Sequence, residues 1–219
     1  RAHALGDNLL IGSALAQVGL GTARAADAAP LVREAAARLR EAGALEIASS
    51  VLTTAGMAAL REDEYEVSTE LEYEALEAAL AAGDPYSLAF VHGNLALAAL
   101  LGGRPQAART AFRDELLTAR AHGFATFYFE GLLGLAALAA ADGDDQRAIV
   151  LDAAAWAHNE RDVYPSEAPV YDRLEQRFIG PARERLGAEE AAAAVAAGRQ
   201  LNAADALAYA LAEPAVTDC

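Results

Sequence analysis

Histidines and carboxylates are the side chains in this sequence whose types could perform chemistry. The four histidines stand in separate segments, none of them four residues from another: His3, His92, His122 and His158. A metal site would need distant helices to bring them together with cysteine or carboxylate ligands. We therefore expect surface or groove histidines and no metal ion.

A run of carboxylates surrounds one predicted helix, at Glu62, Asp63, Glu64, Glu66, Glu70, Glu72, Glu74 and Glu77. A catalytic pair of carboxylates needs a pocket that separates their two pKa values, and the sequence gives no sign of such a pocket. We interpret the run as a solvated helix face. The alternative is a docking face for a basic partner segment.

The charge composition argues against several functions. All 17 basic residues are arginine, so the sequence offers no P-loop lysine and no Schiff-base lysine. The net charge of −15 argues against binding of a nucleic-acid backbone. No Gly-x-Ser-x-Gly nucleophile motif of a hydrolase occurs. We predict a non-enzymatic chain with no catalytic residue and no cofactor.

Aromatic residues are densest at Phe124, Phe127, Tyr128 and Phe129, and we expect Trp156 to be a neighbour from the paired helix. Aromatic residues at helical spacing are most often part of a core, which is our interpretation here. The alternative is a ligand-facing role for Tyr128 or Phe127.

The elements that position these residues are predicted to be helices, because 54% of the 219 residues are hydrophobic and many of these are alanine. No apolar stretch reaches the ~18 residues of a membrane span. The first residues lack a signal peptide and open as if partway through a helix, so we expect a piece of a longer protein. The lone Cys219 fits a reducing cytoplasm, which is the predicted location.

An internal repeat organises the chain. Glycines suited to close a helix recur every 40 residues, at Gly43, Gly83 and Gly123, and a second set of turns lies 20 residues away, at Ala23, Asp63, Gly103 and Gly143. Helix positions correspond in the same register, for example Leu15, Ala55, Leu95 and Leu135, each followed four residues later by a small residue. Small residues let helices approach closely, and one pair cannot cover its own apolar face. We therefore predict stacked helix pairs.

The turns predict the helix bounds. We expect pairs at about 8–21 with 26–42, 45–61 with 64–82, 85–101 with 105–122, and 124–141 with 145–160. The predicted domains are repeats over 1–162 and a helical cap over 163–219, which begins at an N-cap on Ser166. In the cap we expect a helix kinked at Gly180-Pro181, a second helix ended by Gly198, and a third capped by Asn202.

The order of features resembles the tetratricopeptide repeat, and the unit from Asn94-Leu95-Ala96 through Gly103 to Phe112 is the closest copy. The resemblance covers about residues 7–160, with 40 residues per unit where about 34 are usual. It implies an all-α, right-handed superhelix of about four tetratricopeptide-like helix pairs plus a C-terminal helical cap.

In tetratricopeptide arrays the first helix of each pair lines a concave groove that holds a peptide or small ligand. Carried over by register, this wall begins at Leu10, Ser13 and Gln17. The groove residues that we select as the partner site are Ser50, Thr53, Met57, Phe90, Gly93, Leu97, Glu130 and Leu133. The wall is mostly apolar, which favours an apolar protein segment or a small effector. The alternative is that these positions only pack against neighbouring helices.

The end of the chain resembles one bacterial family, through Arg183-Glu184-Arg185-Leu186-Gly187, then Gly198-Arg199-Gln200-Leu201 and Ala206-Leu207-Ala208-Tyr209-Ala210-Leu211. That family is the large ATP-dependent, LuxR-type transcriptional regulators common in actinobacteria. The resemblance implies a sensor or interaction region in signal transduction, in contact with an ATPase domain and a DNA-binding domain of the same protein. The alternative function is a free-standing adaptor that assembles a protein complex.

Overall fold

Alanine-rich segments between tight turns give a chain that is helical nearly throughout. The computed structural model describes residues 2–22, 24–159 and 168–212, with side chains from residue 7 onward. These ranges contain no β-strand. The helices are α1 (Ala2–Leu20), α2 (Ala25–Glu41), α3 (Leu45–Arg61), α4 (Tyr65–Ala82), α5 (Pro85–Leu101), α6 (Pro105–His122), α7 (Tyr128–Ala141), α8 (Asp145–Ala157), α9 (Ala168–Leu174), α10 (Gly180–Leu186), α11 (Ala188–Gln200) and α12 (Ala203–Leu211).

The predicted all-helical fold is confirmed, and helices that follow one another pack as neighbouring pairs. Most observed bounds lie within one or two residues of the predicted ones. Three differ more: α1 begins at Ala2, α8 ends at Ala157, and α7 begins at Tyr128 because a 3₁₀ turn at Ala125–Phe127 precedes it. The predicted N-cap at Ser166 lies outside the described residues.

The turns between helices close in one repeated way. A backbone N–H donates to the carbonyl five residues earlier once every 20 residues, from Ala44 to Leu39, Glu64 to Ala59, Asp84 to Ala79, Arg104 to Ala99, Phe124 to Ala119 and Asp144 to Ala139. The residue before each donor has a positive φ, at Gly43, Asp63, Gly83, Gly103, Gly123 and Gly143. This is the Schellman helix ending. The predicted turn positions are therefore confirmed, except Ala23, which lies outside the described residues.

The structure divides into an N-terminal unit, Arg1–Phe124, and a C-terminal unit, Ala125–Cys219. The first holds α1 to α6 and the second holds α7 to α12. In the C-terminal unit α8 packs against α11 as well as against α7. The fourth predicted helix pair thus shares a unit with the cap helices. The predicted domain boundary at 162–163 lies outside the described residues.

Small residues in the predicted register form the helix contacts of the N-terminal unit. Gly56, Ala96, Ala59 and Ala99 are all buried. Leu71 and Phe112, from the second helices of their pairs, have no exposed surface and fill the space between helices. The alanines therefore set the distance between helices, and the larger side chains fill the core.

The acidic run at the start of α4 and along it pairs with two arginines, Arg33 of α2 and Arg24 directly before α2. Arg33 contacts the carboxylates of Glu70 at 2.8 Å and Glu74 at 2.6 Å, and Arg24 contacts Glu64 at 2.9 Å. These pairs raise the pKa of the Arg33 guanidinium, with the Glu74 hydrogen bond as the largest cause. The interpretation as a merely solvated face thus needs correction, since part of the run is an intramolecular ion-pair surface.

The predicted kink at Gly180-Pro181 takes the form of a π-helical turn. Glu175–Ile179 is π-helical and joins α9 to α10 without a break. The Gly180 N–H donates to the Glu175 carbonyl, five residues earlier. A wider turn accommodates Pro181, which has no N–H to donate and needs space for its ring.

The prediction that Gly198 ends a helix is wrong. Helix α11 continues to Gln200, and Gly198 is buried at its contact with α8. A Cβ on Gly198 would lie 2.2 Å from the Val150 carbonyl oxygen and 2.8 Å from Ala153 Cβ. Glycine is therefore required here by the close approach of two helices.

The predicted cap at Asn202 is confirmed. Its Oδ1 accepts from the Asp205 N–H at 3.0 Å, and its Nδ2 donates to Asp205 Oδ2 at 2.7 Å. At the other end of α12, Arg147 of α8 donates to the Tyr209 carbonyl at 2.7 Å and to the Ala212 carbonyl at 2.9 Å. Both ends of this short helix are thus held by side chains.

In the part of the chain that the structure describes, we find no helix with both the length and the apolar character needed to cross a membrane.

Candidate functional site

A cavity of about 430 Å³ in the C-terminal unit combines buried charge with aromatic walls. Its lining comes from α7, α8, α9, the π-helical turn and α10, through Leu133, Asp152, Trp156, Ala168, Tyr171, Asp172, Glu175 and Arg183. A larger depression of about 860 Å³ in the same unit is lined mainly by alanines of α11 and by exposed charges. The smaller cavity is the better candidate because a buried charged side chain lines it.

Helix geometry places the two side chains from α8. Asp152 and Trp156 are four residues apart, so they lie one turn apart on the same face of the helix. Asp152 is 6% exposed, whereas Trp156 is 52% exposed. The carboxylate is therefore held inside the cavity wall and the indole ring lies at the surface.

One arginine connects the carboxylates of the cavity. Arg183 Nη1 lies 2.5 Å from Glu175 Oε1, and its Nη2 lies 3.3 Å from Asp152 Oδ2. The second oxygen of Asp152, Oδ1, is itself fully buried and does not open onto the cavity. The rise in the pKa of this carboxyl on burial is offset in part by a hydrogen bond from the Trp156 side chain. Asp152 is thus a buried charge within the cavity wall.

Burial raises the pKa of the Asp152 carboxyl from its ordinary 3.8 to about 6. The attraction of Arg183 lowers this pKa in part, and the negative charge of Glu175 raises it. The carboxyl therefore changes charge within one or two pH units of neutrality, unlike an exposed aspartate.

The aromatic wall is fixed from behind by α7. The Phe129 ring lies edge-to-face with Trp156 at 4.9 Å and with Tyr171 at 5.4 Å between ring centroids. The Tyr171 hydroxyl donates to Glu130 Oε2 at 2.9 Å, and both side chains are buried. The orientation of Tyr171 is thereby set by both a ring contact and a hydrogen bond.

Replacement of Asp152 by asparagine is expected to stabilise the protein at neutral pH. Because the folded-state pKa lies above the unfolded one, ionisation of Asp152 costs stability that is absent below about pH 4, grows from pH 4 to 6, and is constant above. Asp152→Asn should raise the free energy of unfolding by about 2 kcal/mol at pH 7.5 and change it little at pH 4.

Urea unfolding at pH 4, 5, 6 and 7.5, followed by far-ultraviolet circular dichroism, measures this difference. The matched control is Asp142→Asn, the same change at an exposed turn position, where there is no burial of the carboxylate to relieve. A variant Asp152→Asn that is less stable than the parent protein at pH 7.5 would contradict the prediction.

The structure places the predicted groove residues differently in the two units. In the N-terminal unit Ser50 is exposed, Phe90 is half-buried, and the rest are buried: Thr53, Met57, Gly93 and Leu97. In the C-terminal unit Leu133 lines the cavity, and Glu130 lies directly behind it, bonded to Tyr171. Only the last two are thus brought to the candidate site.

The aromatic prediction is confirmed in its main part. Phe129 packs against Trp156, and Phe127 and Phe129 are 2% and 4% exposed. Phe124 stacks on His122 at 5.6 Å, in the N-terminal unit. Tyr128 is half-buried, and neither it nor Phe127 lines the cavity, whose aromatic walls are Trp156 and Tyr171.

Sequence reasoning missed Asp152, Tyr171 and Arg183. One signal was available, because Asp152 is the single charge in the otherwise apolar run from 148 to 157. A carboxylate on the buried side of a helix is costly unless it has a role. Tyr171 and Arg183 had no comparable signal, since their approach depends on how α9 and α10 fold back onto α7 and α8.

The structure does not bring the described histidines together into a metal site. Among the described residues, no group of three or more histidine, cysteine, aspartate or glutamate side chains is arranged to hold a metal ion. Burial lowers the pKa of His92, and His158 Nε2 lies 2.7 Å from the Leu201 carbonyl oxygen, where it links α8 to the end of α11. His3 lies outside the residues whose side chains are described.

Comparison of the chain with models of known protein families, with curated proteins and with solved structures finds no match.

Proposed function

We propose that this chain is a non-catalytic binding module and that the cavity beside Asp152 is its ligand site. The observation that carries the proposal is a buried carboxylate in the wall of an aromatic-walled cavity. A buried charge without full hydrogen bonding costs several kcal/mol. A charged or hydrogen-bond-donating group bound close to Asp152 would offset part of this cost, which is a reason for a carboxylate at this position.

The size of the cavity supports a small ligand or one side chain of a partner. Ligand pockets commonly enclose about 300–1,000 Å³ and combine apolar walls with a few polar groups. The cavity, at about 430 Å³, lies near the lower end of that range. Leu133, Trp156 and Tyr171 supply the apolar wall, and Asp152 and Arg183 supply the polar groups.

The chemistry of the lining favours binding over catalysis. Arg183 is engaged by two carboxylates, and the Tyr171 hydroxyl donates to Glu130. A general acid–base mechanism needs a second group positioned beside the first with a separated pKa. In the cavity, Arg183 instead pairs with Glu175 and Asp152, and Tyr171 bonds to Glu130. These contacts fix the side chains in place, as a preformed binding site requires.

Fluorescence of Trp156, the only tryptophan, tests the proposal directly. We expect phenethylamine, phenylacetamide or phenylacetate, three compounds of similar shape, to change this fluorescence saturably. Ala168→Leu fills the cavity and should abolish the change, whereas the same substitution at exposed Ala204 of α12 should preserve it. No saturable change with any of the three compounds would overturn the proposed function.

We further propose that the helix pairs form a right-handed, tetratricopeptide-like superhelix within a cytoplasmic, LuxR-type transcriptional regulator. The 20-residue recurrence of the turns supports the repeat. The ending through Gly198-Arg199-Gln200-Leu201 supports the regulator. In this proposal ligand or protein binding alters contacts with ATPase and DNA-binding domains of the parent protein.

The full-length gene tests this wider proposal. A P-loop ATPase upstream and a helix-turn-helix at either end would support it. A reading frame without either would contradict it and favour the alternative, a free-standing adaptor.

A further inference from the structure

We propose that the cavity beside Asp152 binds an organic cation, a protonated amine or guanidinium carried on an apolar body. This inference rests on the proposed function and adds the chemical class of the ligand. Three features of the cavity carry it: the balance of charge in its lining, the buried Asp152 carboxylate in its wall, and the exposed indole ring.

The charge of the lining is negative. Asp152, Asp172 and Glu175 contribute carboxylates, and Arg183 contributes the one cation of the lining. The Arg183 guanidinium is already bonded to Glu175 and close to Asp152. An anionic ligand would have to displace these carboxylates from Arg183, whereas a cation meets a site that is deficient in positive charge.

The buried carboxylate of Asp152 attracts a cation from within the cavity wall. An ionised carboxylate only accepts hydrogen bonds, and burial leaves its charge poorly screened by water. Ammonium and guanidinium groups only donate, so the two are complementary. Bonds between two charged partners are also stronger than neutral ones, at about twice the strength.

The aromatic wall suits the same ligand. Trp156 is half-exposed, and a T-shaped contact with the Phe129 ring holds it in place. Indole offers the strongest cation–π attraction among the aromatic side chains. A cation that enters beside the indole ring can place its charge near both that ring and the Asp152 carboxylate, and its apolar body against Leu133 and Tyr171.

The dependence of ligand affinity on pH provides a second way to recognise binding of a cation beside Asp152. The charged groups around the Asp152 carboxylate are Arg183 of α10 and Glu175 of the π-helical turn, with Asp172 of α9 further along the lining. With a pKa of about 6, Asp152 is mostly ionised at pH 7 and mostly protonated at pH 5. The affinity for a cation should therefore fall about tenfold between pH 7 and pH 5.

Titration of Trp156 fluorescence with the three matched compounds at pH 7 tests the inference. We expect phenethylamine, the cation, to bind at least tenfold more tightly than neutral phenylacetamide or anionic phenylacetate. Asp152→Asn should remove most of this preference and its dependence on pH, and Asp142→Asn should change neither.

The outcomes separate the two proposals. If none of the compounds binds, the proposed function fails. If phenylacetate or phenylacetamide binds as tightly as phenethylamine, or if Asp152→Asn keeps the preference, the cation inference fails while the site itself stands. A blocked Gly-Arg-Gly tripeptide distinguishes a basic side chain of a partner protein from a free amine, and preference for either one supports the inference.

Discussion

Replacement of Gly198 by alanine is expected to destabilise the C-terminal unit by about 3 kcal/mol, although alanine is the best helix former and glycine a poor one. The added Cβ would lie 2.2 Å from the Val150 carbonyl oxygen, 2.8 Å from Ala153 Cβ and 3.1 Å from the Ala154 nitrogen. Two of these atoms, the Val150 oxygen and the Ala154 nitrogen, belong to the backbone of α8 and cannot avoid the Cβ by a change of rotamer. Helix α11 must then move off α8, which costs packing along the whole contact.

Urea unfolding followed by Trp156 fluorescence measures this effect, since Trp156 lies on α8 itself. The control is Ala197→Gly at the neighbouring, exposed position, where only helix propensity changes and we expect a loss of about 1 kcal/mol. If Gly198→Ala were as stable as the parent protein, the close contact between α8 and α11 would be refuted.

Replacement of Asn94 by leucine is expected to destabilise the N-terminal unit by about 3 kcal/mol. Asn94 of α5 and Glu72 of α4 have no exposed surface, and the Asn94 amide donates to Glu72 Oε1 at 2.9 Å. Leucine has a similar volume and no donor, so the buried Glu72 carboxylate loses this bond. Removal of one partner so that a buried acceptor loses its hydrogen bond typically costs about 1–3 kcal/mol, and more where the acceptor is charged.

A second substitution and a surface control make this test specific. Glu72→Met added to Asn94→Leu should restore most of the lost stability, because both polar partners are then absent. Asn8→Leu breaks an amide-to-glutamate bond of 3.0 Å at the surface, to Glu41, and should change stability by less than about 0.5 kcal/mol. Circular dichroism in urea measures all three, and equal losses for Asn94→Leu and Asn8→Leu would contradict the role of burial.

Much of the fold is predictable from sequence because its signals are local. A helix ending needs a residue that tolerates positive φ, and the spacing of Gly43, Gly83 and Gly123 shows where these lie. The cap at Asn202 is likewise decided within four residues, since its oxygen accepts from the Asp205 N–H. Local signals of this kind gave helix positions to within a few residues.

The candidate site could not be predicted because it depends on contacts distant in sequence. Arg183 meets Asp152 across 31 residues, and Tyr171 meets Glu130 across 41. Gly198 shows the same limit: a glycine near a helix end is typical of a C-cap, yet here it permits a close helix contact. Only the packing of α8 against α11 distinguishes these two uses.

The repeated Schellman endings have a consequence for the way that such a chain can change in length. Each ending is completed by a hydrogen bond that spans only five residues, so its geometry does not depend on the number of helices before or after it. A duplication or deletion of one whole 40-residue block therefore leaves the surviving turns intact. Unequal recombination within a gene of this kind would lengthen or shorten the array in complete helix pairs, and the number of pairs becomes a trait on which selection can act.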